Sequence, residues 1–300
     1  MQDRLRLKAP AKINLYLRVT GRRADGYHTL ETLMQKVSLY DELELRARER
    51  GIRLHCPGGV LSEHSDNLVY RATEIFLQSM ERQRAGSVPG VEITLKKNIP
   101  IAAGLGGGSS DAAATLKGLN SLFGGGCSGE ELAAMGLRLG ADVPFFLADT
   151  SAALATGIGE ILTPVAPLAG WYVLLVNPGF PVSTRWVYRT FALTNNENTS
   201  KLRNSQKDID TGAPGGVPED KMHGTAMYND LETVTVSKYP EIELLKNELV
   251  AHGATTALMS GSGPTVFGLF ADGQAVEASH AVFKRRFEHT YLVSPFDGKR

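Results

Sequence analysis

The 300-residue sequence has little cysteine, no excess charge of either sign and no long uninterrupted apolar run. Its two cysteines, Cys56 and Cys127, lie far apart without a CxxC motif, which argues against a disulfide framework and against a zinc site. The 32 Lys and Arg residues balance the 32 Asp and Glu residues, so the chain has no overall basic field to hold a nucleic acid backbone. We therefore expect a cytoplasmic protein that does not bind nucleic acid.

A membrane segment is not expected either. The longest charge-free stretch, residues 161–184, contains four prolines, whereas a membrane helix needs about 20 unbroken apolar residues. Residues 1–7 lack the apolar segment of a secretory signal. The length instead allows one large domain, or two domains of about 150 residues each.

Glycine is abundant by contrast, with 32 residues, and it is concentrated in the segment Pro100–Asp111, called the phosphate loop below. This segment follows an alternating strand pattern and precedes a helical one, with the helix expected to begin near Ser109. Backbone N–H groups of a glycine-rich turn can converge on an anion, and a helix N-terminus adds its positive dipole end. The order of strand, glycine turn and helix therefore predicts a phosphate-binding site.

The loop matches neither of the two common nucleotide-binding fingerprints. A Walker A loop needs a lysine directly after its last glycine, but Ser109 and Ser110 follow Gly108. The dinucleotide pattern GxGxxG, started at Gly104, needs a glycine where Ser109 stands. Both fingerprints therefore fail.

Three segments resemble the motifs of the kinases named for galactose, homoserine, mevalonate and phosphomevalonate, the GHMP kinases. They are Ala-Pro-Ala-Lys-Ile-Asn-Leu at 9–15, the phosphate loop at 100–111 and Leu-Met-Ser-Gly-Ser-Gly-Pro-Thr at 258–265. The resemblance implies an α+β, two-lobed GHMP-kinase-like fold. An N-terminal ATP-binding lobe at 1–162 would hold the phosphate loop and the catalytic residues, and a C-terminal antiparallel-sheet lobe would follow at 163–300.

Three further stretches, at 10–17, 23–32 and 139–146, resemble one family of these kinases, which phosphorylates 4-diphosphocytidyl-2-C-methyl-D-erythritol. This resemblance implies transfer of a phosphoryl group from ATP to the 2-hydroxyl group of that substrate, a step of the non-mevalonate isoprenoid pathway. Mg²⁺ would accompany ATP. The alternatives are a sister kinase acting on homoserine or a mevalonate, and a non-catalytic nucleotide-binding protein with the same fold.

The resemblance also implies roles for individual residues. Asp142 matches the catalytic base, which accepts the proton of the hydroxyl group, and Lys12 matches its basic partner. Alternating apolar residues at 13–19 predict a half-buried strand that puts Lys12 and Asn14 on one face. Ser110 is a candidate contact of Mg²⁺. The expected ATP-binding residues are Asn67, Lys97, Pro100, Gly104, Gly106, Gly107, Gly108, Ser109 and Ser110.

The cytosine ring of the substrate is expected between aromatic side chains. Tyr27 matches the family residue that stacks on the base, and His28 matches the one that makes polar contacts to it. Thr184 and Tyr188 match, by their spacing, the residues that close the other side of the pocket. Asn14 shares a face with the catalytic lysine and is expected to contact the substrate.

Two features stay open at the level of the sequence. Trp186 or Phe180 could serve as the second aromatic side chain in place of Tyr188. Residues 194–220 are too polar to offset the entropy of ordering them, so we expect a mobile insertion there, either a lid or tolerated surface. Asp66, just before the expected ATP-binding residue Asn67, is expected to be the N-cap of a helix.

Overall fold

The computed structural model describes residues 3–59, 61–83, 88–195 and 227–296. The strands within these ranges are β1 (Arg4–Arg22), β2 (His28–Arg48), β3 (Ile52–His55), β4 (Gly90–Lys96), β5 (Ala152–Thr156), β6 (Ile161–Pro164), β7 (Tyr172–Asn177), β8 (Thr256–Met259), β9 (Val266–Phe270) and β10 (His289–Val293). The helices are α1 (Leu68–Gln83), α2 (Gly107–Leu122), α3 (Gly129–Leu137), α4 (Val143–Leu147), α5 (Thr184–Asn195), α6 (Glu232–Lys238), α7 (Glu241–Ala251) and α8 (Gly273–Lys284). The predicted insertion at 194–220 lies outside the described residues, apart from its first two, which end α5.

The first sheet contains the strands β1 to β6, and β2 is at its centre. One edge of β2 pairs antiparallel with β1 along most of its length. Its other edge pairs with β5 over residues 32–35 and with β4 over residues 42–48. β3 then adds to β4 in parallel, and β6 adds to β5 antiparallel. Because one long strand contacts three neighbours, it connects the segments before and after the phosphate loop.

The second sheet has the strand order β10-β7-β9-β8, and all its neighbours are antiparallel. One face of this sheet packs against the C-terminal helices through an apolar core that includes Phe270 and Phe283. The other face contributes Val173 and Phe267 to a core shared with Ile13 and other residues of the first sheet. The two sheets therefore meet at β1. The predicted lobe boundary at residue 162 falls inside β6, the last strand of the first sheet along the chain, and stays a prediction.

The prediction that β1 is only half-buried was wrong. Lys12 and Asn14, on its polar face, are 4% and 2% exposed. Their neighbours Ile13 and Leu15 lie in the core between the two sheets. Both faces are covered because one packs against the second sheet and the other borders the cavity described below.

Two helix boundaries differ from the predictions, and two helices were not predicted. α1 is capped by Asn67, whose Oδ1 accepts the N–H of Val69 at 2.9 Å, so the cap lies one residue after the predicted Asp66. α2 begins at Gly107 rather than near Ser109, because glycines continue the helix once the left-handed turn before them ends. α4 and α5 were not predicted at all. None of the helices in the described ranges is long and apolar enough to span a lipid bilayer.

Candidate active site

A cavity of about 980 Å³ lies where the phosphate loop meets both sheets. Fifteen of the sixteen predicted site residues line it, namely Lys12, Asn14, Tyr27, His28, Asn67, Lys97, Pro100, Gly104, Gly106, Gly107, Gly108, Ser109, Asp142, Thr184 and Tyr188. The exception is Ser110, whose side chain is buried and whose Oγ has no hydrogen-bond partner among the described residues. The fold thus brings together residues that lie between positions 12 and 188 of the chain.

The phosphate loop has a backbone shape that favours glycine at two positions. Gly104 and Gly106 have φ angles of 77° and 71°, in the left-handed region. Gly106 caps α2, and the N–H of Ser110 donates to its carbonyl at 2.9 Å as the first bond of the helix. The N–H groups of residues 107–109 therefore have no partner within the helix and lie at its positive end. This arrangement suits an anion.

The glycine-rich turn between β8 and β9 packs directly against the phosphate loop. Ser260 Oγ donates to the carbonyl of Gly104 at 3.0 Å, and a Cβ on Gly104 would lie 2.1 Å from the Ser260 carbonyl oxygen. On the opposite side, the N–H of Lys12 donates to the carbonyl of Leu105 at 2.9 Å. The loop is therefore fixed between β1 and the third motif of the sequence.

Lys12 and Asp142 meet at this junction, although 130 residues separate them in the chain. The Nζ of Lys12 lies 3.4 Å from Oδ2 of Asp142 and donates to Oδ1 of Asn14 at 2.5 Å. Asn14 donates in turn to Oγ1 of Thr32 at 2.8 Å. The side chain of Lys12 is 5% exposed, whereas that of Asp142 is 35% exposed. A buried ammonium group therefore faces a carboxylate that is open to the cavity.

The aromatic end of the cavity is centred on Tyr188, which stacks on His28 with ring centroids 5.5 Å apart and an interplanar angle of 27°. Tyr27 lines the same cavity and is 60% exposed. The ring that faces Tyr188 is thus His28 rather than Tyr27. Burial raises the pKa of the Tyr188 hydroxyl, and the negative charge of Asp142 raises it further. The phenol therefore lies near the candidate catalytic carboxylate.

The two alternative aromatic residues lie elsewhere. Phe180 stacks on Tyr239 with ring centroids 4.7 Å apart. Trp186 packs edge-on against the same tyrosine, at 6.3 Å, and lies under the ammonium group of Lys238. Neither residue lines the cavity. Of the three candidates, Tyr188 is therefore the one that lines the cavity.

Helix α5 contributes several side chains to the cavity. Its first residue, Thr184, has Oγ1 2.9 Å from Oγ of Ser262, and Tyr188 follows one turn later. Arg185 and Arg189 lie beside these two residues and also line the cavity. The sequence analysis missed both arginines because it did not predict the helix. Their spacing of four residues would have placed them on one face once α5 was known.

Two predicted ATP contacts already have partners within the protein. Asn67 caps α1 and donates through Nδ2 to the carbonyl of Ser62 at 2.8 Å. Lys97 forms ion pairs with Asp41 and, at 2.7 Å, with Asp111. Burial raises the pKa of Asp111 to about 8. The ATP contacts of Asn67 and Lys97 stay predictions, and the two acidic partners of Lys97 were missed, although Asp111 ends the glycine-rich motif.

Comparisons with known proteins show the family to which the chain belongs. The models for "GHMP kinases N terminal domain" and "GHMP kinases C terminal" match residues 67–150 and 220–289. The 4-diphosphocytidyl-2-C-methyl-D-erythritol kinase of Syntrophus aciditrophicus (strain SB) is 45% identical over 93% of this chain and 94% of its own length. The chain belongs to the 4-diphosphocytidyl-2-C-methyl-D-erythritol kinase family. The protein of the same name from Desulfotalea psychrophila (strain LSv54 / DSM 12343) is 47% identical over 89% of this chain and 86% of its own length.

Solved structures place the chain in the same family. A crystal structure of 4-(cytidine 5'-diphospho)-2C-methyl-D-erythritol kinase is 33% identical, with a TM-score of 0.74, and the match covers 96% of this chain and 98% of that one. Homoserine kinase from Cytophaga hutchinsonii ATCC 33406 has a TM-score of 0.72 at 20% identity, over 98% of this chain and 96% of its own. The second likeness shows the fold alone. The predicted two-lobed α+β fold of the GHMP kinases is therefore confirmed.

Proposed function

We propose that this member of the 4-diphosphocytidyl-2-C-methyl-D-erythritol kinase family is an ATP-dependent kinase that phosphorylates the 2-hydroxyl group of the substrate for which the family is named. This is a step in the non-mevalonate pathway to isoprenoid precursors. The observation that carries the proposal is the meeting of Lys12 and Asp142 with the phosphate loop in one cavity. We also propose a cytoplasmic location, which the two unpaired cysteines support.

The junction has the groups that an attack by a hydroxyl group requires. The hydroxyl oxygen forms a bond to the γ-phosphorus of ATP, the bond between that phosphorus and ADP breaks, and the hydroxyl proton passes to Asp142. The ammonium group of Lys12, 3.4 Å away, stabilises the carboxylate and is itself oriented by Asn14. Phosphoryl transfer depends mainly on positioning, so a fixed pair of this kind suits the reaction.

The phosphate loop supplies electrostatic stabilisation. Its N–H groups at residues 107–109 can donate to the phosphoryl oxygens, where negative charge is spread in the transition state. Such donors cost little reorganisation during the reaction, because the helix that carries them is already formed.

Mg²⁺ accompanies ATP in this proposal. The described part of the chain contains no group of three or more His, Cys, Asp or Glu side chains arranged for a metal ion. Ser110, the predicted contact, does not line the cavity. These residues do not fit a protein cage for the ion, so we assign no step to a protein-bound metal. In kinases Mg²⁺ is held largely by the substrate phosphates, with one or two protein groups and water.

The other end of the cavity suits a cytidine diphosphate. His28, Tyr188 and Tyr27 offer aromatic faces, and stacking of a base is worth about 1–3 kcal/mol. Arg22 and Arg185 add positive charge beside these rings, which suits a diphosphate group. Homoserine and mevalonate have neither a base nor a diphosphate, so these features support the larger substrate.

The test is a substrate panel with the full chain. We expect ADP formation with ATP and 4-diphosphocytidyl-2-C-methyl-D-erythritol, and ³¹P NMR should show a new phosphate monoester in the product. Preference for homoserine or mevalonate would contradict the proposal. Binding of ATP without transfer to any of the three alcohols would favour the non-catalytic alternative.

A further inference from the structure

An ion cluster beneath the phosphate loop has no part in the proposed chemistry. Asp41 on β2 is fully buried, and Asp111 on α2 is 2% exposed. The ammonium group of Lys97 lies between them and pairs with both carboxylates. Two buried carboxylates thus share one ammonium group beside an anion site, where surplus negative charge should be a disadvantage.

Asp41 also fixes the backbone that enters the phosphate loop. Its Oδ1 accepts the N–H of Asn98 at 2.6 Å and the N–H of Ile99 at 2.9 Å. The phosphate loop begins at the next residue, Pro100, and ends at Asp111, the other partner of Lys97. The cluster therefore joins residues 97–99 to residue 111. We call these four residues the neck of the loop.

The neck lies against the first turn of α2. A Cβ placed on Gly107 would be 3.2 Å from the Nζ of Lys97, so the ammonium group is adjacent to the first residue whose N–H faces the anion site. Both Lys97 and Asp111 line the cavity. A shift of this lysine would therefore change the geometry of the phosphate-binding amides.

The two carboxylates of the cluster are not equivalent. Asp41 accepts hydrogen bonds from two backbone N–H groups as well as from Lys97. Asp111 accepts one from Lys97, and its Oδ1 has no hydrogen-bond partner within the described part of the chain. The carboxylate of Asp41 therefore has three hydrogen-bond donors, whereas that of Asp111 has only the shared lysine.

We propose that Asp41 is a positioning residue for ATP. Through Lys97 it holds the neck in the shape that binds phosphate groups, whereas the charge of Asp111 contributes less. The role deepens the proposed function, because it presumes that the loop binds ATP. It does not depend on which alcohol is phosphorylated.

The test compares Asp41→Asn with the matched variant Asp111→Asn. An asparagine at 41 keeps an oxygen that can accept the two backbone N–H groups, but it no longer attracts the ammonium group. We expect Asp41→Asn to raise the KM for ATP about tenfold or more, with kcat at saturating ATP and the KM of the alcohol substrate within about twofold of wild type. Asp111→Asn should raise the KM for ATP by no more than about threefold, because Asp111 accepts one hydrogen bond where Asp41 accepts three.

Affinity for a non-hydrolysable ATP analogue and for adenosine, measured by calorimetry without the alcohol, gives a second readout. Asp41→Asn should weaken the analogue and leave adenosine unchanged, because the neck acts on the phosphates. Equal loss of both ligands, equal effects of the two variants, or no effect of Asp41→Asn would each overturn the proposal. A wild-type chain that binds the analogue but phosphorylates none of the panel alcohols would contradict only the proposed function.

A second variant covers the case in which Asp41→Asn does not fold. The double variant Lys97→Met/Asp111→Asn removes the ammonium group of the bridge together with the charge of its second partner. It should lose affinity for the ATP analogue and keep adenosine binding. Retained affinity for the analogue would overturn the role of the neck, and so would equal loss of adenosine, which would instead assign Lys97 a direct contact with adenine.

Discussion

The phosphate end of the cavity is held by hydrogen bonds between buried groups, whereas the cytidine end is formed largely by exposed side chains. At the phosphate end, the backbone N–H of Lys12 donates to the phosphate loop, and the ammonium group of Lys12 donates to the side chain of Asn14. At the cytidine end, Tyr27 is 60% exposed, and Arg185 and Arg189 form no ion pair with any other described residue. The difference indicates that the phosphate end is preorganised, while the cytidine end is completed by its ligand.

The largest expected effect is at the junction of the two ends. Asp142→Asn should lower kcat by about 10²–10⁴-fold, because an amide cannot accept the hydroxyl proton. Affinity for a non-hydrolysable ATP analogue should be unchanged, since the phosphate loop remains intact. Steady-state kinetics and calorimetry measure the two effects separately.

Asp149→Asn is the matched control for that variant. Asp149 is an exposed aspartate just after α4 and does not line the cavity, so its substitution should leave kcat near that of wild type. An Asp142→Asn enzyme with close to full turnover would remove Asp142 from the role of base.

Tyr27→Ala tests the cytidine end of the cavity. If Tyr27 closes on the base when substrate binds, the KM for the cytidine substrate should rise by about 5- to 150-fold, the equivalent of about 1–3 kcal/mol of stacking. The KM for ATP should change little, because stacking lies away from the phosphate loop. Tyr27→Phe keeps the ring and should behave like wild type. An unchanged KM in Tyr27→Ala would leave recognition of the base to His28 and Tyr188.

Gly104→Ala tests the phosphate end of the cavity. The residue has a positive φ angle, and a Cβ would lie 2.1 Å from the Ser260 carbonyl oxygen. We expect a loss of about 1–2 kcal/mol in the free energy of unfolding from the φ angle alone, together with a higher KM for ATP. Denaturant unfolding and steady-state kinetics measure both.

Gly108→Ala is the control within the same loop. Gly108 lies in the first turn of α2, and its added Cβ would meet only Leu68 Cδ1, at 3.3 Å. This variant should be no less stable than wild type, since alanine favours a helix. Equal destabilisation by the two substitutions would show that the contact with the turn at Ser260 does not matter.

Much of the phosphate end could be predicted from the sequence, because short local motifs determine its backbone shape. Glycines at 104 and 106 are needed for a backbone that other residues rarely adopt, and a helix after them supplies free N–H groups. Lys12 and Asp142 were found only through the resemblance to a family, since 130 residues separate them and no local pattern joins them. The hydrogen bond from the N–H of Lys12 to Leu105 fixes β1 against the loop, and the Nζ of Lys12 lies 3.4 Å from Asp142.

The cytidine end was harder to predict because its geometry depends on tertiary contacts. The pairing of His28 with Tyr188 joins the start of β2 to a helix that was not predicted. Arg185 and Arg189 had no signal before that helix was known. The same limit applies to Asp41, whose partners are backbone N–H groups more than fifty residues further along the chain.

The smallest expected effect concerns the charge on His28 at the cytidine end. Burial lowers the pKa of His28, and Arg22, its partner across β1 and β2, lowers it further because a nearby positive charge disfavours the imidazolium. Arg22→Gln should therefore raise the pKa of His28 towards its ordinary value, which an NMR titration of the ring protons would measure. Arg23→Gln is the control, because Arg23 is already paired with Asp25. Added salt should raise the pKa of His28 in the wild type and leave it nearly constant in Arg22→Gln, since salt screens exposed charges. An identical titration in both proteins at low salt would show that burial alone keeps His28 neutral.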